Sequence, residues 1–90
     1  MKLIIQIPAW NEEEHLAETI RALPKQVDGF DEVAVLVVDD GSDDETAAVA
    51  DEAGAEVLRL PVHRGLAVAF ASGLDRALDL GADVIVNTDA

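Results

Sequence analysis

Ninety residues with no cysteine, six basic and nineteen acidic side chains carry a formal charge of −13. A chain of this length makes one small domain, without disulfides or thiolate metal sites. Half of it is hydrophobic, so the acidity is not that of a disordered tail, yet no apolar run reaches the ~18–20 residues of a membrane span.

The unbroken apolar run after Lys2 predicts a first strand, β1, over 3–8. Asn11 stands three residues before Glu14, a capping-box start for a helix, α1, over 12–23. Leu16, Ile20 and Leu23 share one face of that helix, and Pro24 ends it. The run Val33–Val38 predicts β2 over 33–38. Ser42 and Glu45 repeat the capping-box spacing and open α2, 43–53, which has a weak alanine face. Gly54 stops it with a left-handed cap, and β3 follows over 57–60. Leu66, Phe70, Leu74, Ala77 and Leu78 give α3, 64–80, an apolar stripe. Gly81 is a second stop of the same kind before β4, 83–88.

Strands without alternation suit a sheet buried on both faces. Strand–helix–strand repetition with right-handed crossovers predicts an open parallel α/β sheet in three layers. Ligands of such sheets sit beyond the carboxyl ends of the strands. The segments to question are therefore Pro8 to Glu13, Asp39 to Ser42, Pro61 to Gly65, and Asn87 to Ala90.

A surface this negative repels nucleic acid, whose binding rests on Lys and Arg neutralising phosphates. It repels phosphorylated small molecules too, so a nucleotide here needs a divalent cation or a local cationic spot. The acidic surplus fits solubility and salt adaptation alike. The opening apolar run is interrupted too soon for a signal peptide. The missing cysteine is compatible with a cytoplasmic setting.

Asp39 and Asp40 end a buried strand, where a carboxylate can accept a nucleobase N–H or a ribose hydroxyl. Asp40 and Ser42 could equally form the turn and cap α2. Glu12, Glu13 and Glu14 complement the dipole of α1. Trp10, the single tryptophan, either flanks a base or anchors its loop. His63 and Arg64 open the one helix whose start is cationic, the natural phosphate contact of an acidic chain. Asp89 alone is a poor metal site, since Mg²⁺ normally takes one or two carboxylates plus phosphates. No glycine-rich dinucleotide fingerprint, phosphate-binding P-loop or nucleophile elbow is present.

Taken together, Pro8-Ala9-Trp10-Asn11-Glu12-Glu13, Val37 to Thr46, His63-Arg64-Gly65-Leu66-Ala67 with Gly73-Leu74, and Asn87-Thr88-Asp89-Ala90 resemble family 2 glycosyltransferases. The likeness is nearest to the polyprenyl-phosphate, dolichyl-phosphate mannose synthase-like branch and spans the whole sequence in the family's order. It implies the Rossmann-like nucleotide-binding half of a GT-A fold, strand order 3-2-1-4, and a nucleotide-diphosphate-sugar donor. By the same resemblance the loop Pro8, Ala9, Trp10 to Glu12 and Asp39 hold the base and ribose. Asp40 and Arg64 join that nucleotide site. Asp89 opens an Asp-x-Asp motif that binds ribose and a divalent Mg or Mn ion. Trp10 stands where tyrosine is usual and His63 where asparagine is common. The motif's second aspartate and the catalytic base would lie beyond residue 90, so the chain alone is expected to be inactive.

Two other readings compete. A non-catalytic nucleotide-binding module would expose β4 as an edge and form a homodimer through it. A phosphatase-like metal enzyme would use Asp39 and Asp40.

Overall fold

The computed structural model describes residues 1–89. The elements are β1 Lys2–Ala9, α1 Leu16–Ala22, β2 Glu32–Asp39, α2 Thr46–Glu52, β3 Glu56–Arg59, α3 Leu66–Asp79 and β4 Val84–Asn87. All seven expected elements are present in the expected order. The strands pair in parallel as β3-β2-β1-β4, the order that the resemblance implied.

Two apolar clusters fill the two faces of the sheet. Ile7, Ala9 and Val37 pack with Leu16, Ile20 and Ala50 beneath α1 and α2. Ile4, Leu36 and Val38 pack with Ala69 and Ala77 beneath α3. Alternate residues of β1 and β2 thus serve opposite layers, which is why both strands read as unbroken hydrophobic runs.

Both predicted glycine stops hold. Gly54 and Gly81 adopt left-handed φ values of 95° and 87°. The amides of Ala55 and Ala82 reach back to the carbonyls of Ala50 and Ala77, the closing bond of a Schellman cap. Leu23, before Pro24, is extended and ends α1, as a residue preceding proline should.

The helix starts differ from expectation. Helix α1 begins at Leu16 rather than residue 12, and α2 at Thr46 rather than 43. Neither has a side-chain cap, so Asn11 and Ser42 do not form capping boxes. Asn11 instead takes a left-handed φ of 51°. Its polar neighbours look outward to another loop, as described below.

One buried polar group lies under α3. Gln6 is fully buried and its Nε2 donates to the Phe70 carbonyl at 3.0 Å. Gly73 lets the helix come that close, because a Cβ there would collide with the Gln6 amide. Gly73→Ala is therefore expected to lower stability by about 1–3 kcal/mol through overpacking, despite alanine's better helix propensity. Urea unfolding of the variant checks this.

Candidate functional site

The parallel register sets Ala9 opposite Asp39. Two loops therefore leave the sheet side by side, one after β1 and one after β2. Each begins with amides that have no partner in its own helix. Polar side chains of the opposite loop supply the acceptors. The Asn11 amide donates to Ser42 Oγ at 2.9 Å, and Asn11 Oδ1 accepts the Asp43 amide at 2.9 Å. The Glu12 amide donates to Thr46 Oγ1 at 3.0 Å, and Glu13 Oε2 accepts the Glu45 amide at 3.1 Å. Asp44 accepts the amides of Glu13 and Thr46. The two loops are clasped to each other.

Asp39 closes the floor of this clasp. It is fully buried, and Oδ1 accepts the Ser42 amide at 3.0 Å. Its Oδ2 has no hydrogen-bond donor. The Arg59 guanidinium, at the end of β3, lies 3.7 Å from that oxygen. A buried carboxylate oxygen without a donor costs more than the roughly 1–3 kcal/mol of a neutral polar group. Arg59 was not singled out in the sequence because it precedes the segment taken to follow its strand.

Asp40 is 4% exposed and fully engaged. Its Oδ1 accepts the Arg64 amide at 2.8 Å and its Oδ2 the Gly65 amide at 2.9 Å. His63 Nδ1 lies 2.9 Å from Oδ2. The start of α3 thus already holds an anion, the carboxylate of Asp40. Only the exposed Arg64 side chain remains for a phosphate.

Gly41 makes this approach possible. A Cβ there would fall against the backbone of Val62 and His63, and its φ is 71°. Trp10 reaches over the same segment, its ring centroid 4.4 Å from that of His63 at an interplanar angle of 32°. Pro8, Ala9, Trp10, Asp40 and His63, with Leu66 and Ala69, line a cavity of 160 Å³. A second cavity of 560 Å³ adjoins it, lined by Pro8, Leu66, Ala67, Phe70, Asn87, Thr88 and Asp89.

Pro8, Ala9, Trp10, Asp40 and His63 are thus brought together, with Asp39 buried beneath the loops. Glu12 sits in the clasp and is held by its backbone. Asp89 lies at the rim of the larger cavity. Among the described residues no three acidic or histidine side chains cluster as a metal site. No helix among the described residues is long and apolar enough to cross a membrane. Both oxygens of Asp40 accept backbone amides, which leaves Asp40 unsuited to attack a phosphate ester.

In an open parallel α/β sheet ligands sit outside the carboxyl ends of the strands, which is where the buried carboxylate and the aromatic-walled cavity lie. Residues 4–90 match the model of glycosyl transferase family 2, and the chain belongs to that family. It is 39% identical over 95 residues to an undecaprenyl-phosphate mannosyltransferase of Micrococcus luteus, covering 100% of this chain and 38% of the relative. It is 36% identical over 89 residues to an uncharacterised protein of Methanocaldococcus jannaschii, covering 99% of this chain and 35% of that protein. Among solved structures it is similar to glucosyl-3-phosphoglycerate synthase from Mycobacterium tuberculosis in complex with Mn²⁺, UDP and glucosyl-3-phosphoglycerate. That match has a TM-score of 0.72 and 31% identity, over 98% of this chain and 33% of the synthase. The chain spans between 35% and 38% of the length of the two curated relatives.

Two outcomes test the clasp. Thr46→Val removes the acceptor of the Glu12 amide at nearly constant shape, with an expected loss of about 1–3 kcal/mol in urea unfolding. The second concerns acid. Asp44 is held below its ordinary value of 3.8, first by the Thr46 hydroxyl and then by the backbone amides of Thr46 and Glu13. Its folded value is lower than its unfolded one. Its contribution is therefore full above the ordinary value and is lost as pH falls through the folded one. The Glu13 and Thr46 amide resonances should shift together below about pH 4, and Asp44→Asn should abolish that step.

Proposed function

We propose that the chain is the donor-binding part of a glycosyltransferase that passes a sugar from a nucleotide-diphosphate sugar to an acceptor. The observation that carries this reading is the fully buried Asp39 with an oxygen lacking any donor. A nucleobase N–H or a ribose hydroxyl that displaced the loop atoms covering it would satisfy it, in a charge-assisted bond. The wall of Pro8, Ala9 and Trp10 would take the base. Glu12, at the mouth of the clasp, would face the ribose. Arg64 would meet the diphosphate, helped by its place in an otherwise acidic chain.

Asp89 would contribute one ligand to Mg²⁺ or Mn²⁺ entering with the donor. Such an ion, when bound, screens the diphosphate and stabilises its departure. The Mn²⁺ and UDP in the similar synthase support this part of the reading. The mannosyltransferase relative supports a polyprenyl-phosphate acceptor. A cytoplasmic setting accords with the cysteine-free composition.

An amide-resolved NMR titration with UDP, then GDP, each with and without Mg²⁺, tests the reading. Saturable shifts at Ala9 to Glu12, Asp39 to Ser42 and Arg64 to Gly65 are expected. Asp39→Asn should weaken binding about ten- to hundredfold, as loss of a hydrogen bond to a charged group does. A folded spectrum that neither nucleotide perturbs overturns the proposal.

A further inference from the structure

We propose that His63 is a positioning residue of the base cavity, holding Trp10 in place while Asp40 holds His63. The inference rests on the donor-binding reading above and names residues through which that site is set.

Asp40 ties three consecutive residues. It accepts the amides of Arg64 and Gly65, and His63 Nδ1 lies 2.9 Å from its Oδ2. A carboxylate accepting backbone amides only accepts, so Nδ1 carries the proton in that contact. This fixes the imidazole about its ring bonds and its face. The backbone beneath it is equally constrained, because Gly41 packs against Val62 and His63 with no room for a Cβ. His63 is therefore a braced ring on a loop, not a free surface side chain.

Trp10 needs such a brace. It is 45% exposed, in the loop after β1, and His63 is its aromatic partner among the described residues. A half-exposed indole on a loop has several rotamers open to it, and fixing one on binding weakens association. With the imidazole against its face at 4.4 Å, the indole is already held where it lines the cavity of 160 Å³. Cavities of about 150 Å³ accept a single six-membered ring, so a modest swing of Trp10 would close or open the space. Asp40 thereby acts on the ligand through two side chains, neither oxygen of its own being free.

The chain supplies its own reporter. Trp10 is the single tryptophan and there is no tyrosine, so ultraviolet-excited emission reads Trp10 alone. Three proteins are compared: the unaltered chain, His63→Ala and His63→Phe. The probe is UDP with Mg²⁺, followed by emission and by its anisotropy. In His63→Ala the ligand-free anisotropy should fall and the emission should move to the red. UDP binding should weaken about two- to tenfold, the range of one aromatic pair. His63→Phe keeps a ring against Trp10 but loses the bond to Asp40, so affinity and anisotropy should fall between those of the other two proteins.

Emission and anisotropy unchanged in His63→Ala overturn the inference. So does a His63→Phe protein that matches the unaltered chain in both signals, which would mean that Asp40 holds nothing. So does one whose UDP binding is weakened while emission and anisotropy are unaltered, which would mean that the imidazole itself touches the nucleotide. UDP affinity unchanged in His63→Ala overturns this inference alone and leaves the donor-binding reading standing. An unaltered chain that binds neither UDP nor GDP overturns both.

Discussion

Ala9 lies opposite Asp39 because β1 and β2 pair in parallel along their whole length, and this register brings two polar loops out of the sheet within hydrogen-bonding reach. Parallel strands end at the same edge, so the loops that follow them share one rim. Each loop starts a helix and so begins with amides that need acceptors. The cheapest acceptors are the neighbouring loop's short side chains, Asn11, Ser42, Asp44 and Thr46. The clasp leaves Asp39 buried beneath it. The site follows from pairing two strands and then satisfying the backbone at their ends.

Charge is arranged against the grain of the whole chain. The formal charge is −13 with histidine neutral, yet Arg59, His63 and Arg64 all lie near the carboxyl ends of the strands. Two of the three face buried carboxylates rather than solvent acids. Arg59 approaches Asp39, and His63 is bound to Asp40. The side chain of Arg64 remains exposed while its amide serves Asp40. An acidic surface with a small cationic rim is a workable way to admit an anionic ligand at one place only.

The order of elements was plain in the residues. β-branched runs without alternation gave the four strands, and the two glycine stops fixed where α2 and α3 end. The strand ends gave Asp39, Asp40 and the Trp10 loop as candidates. The resemblance added the sheet order. The helix starts were misread, because Asn11-x-x-Glu14 and Ser42-x-x-Glu45 have the spacing of a local cap. Their side chains found partners about thirty residues away instead. Nothing in a one-dimensional pattern shows that Asp40 binds His63 and the amides at the start of α3.

Local chemistry determined the alternation of strands and helices, the stops at Gly54 and Gly81, and the net acidity of the chain. These depend on backbone preference, side-chain branching and charge, all carried by residues close together in the chain. Tertiary structure alone decided which polar side chain meets which amide, and that Asp39 keeps an oxygen without a donor. It also set Trp10 against His63. Each of those contacts spans two loops, and the distance between loops is fixed by strand register, which no single segment specifies.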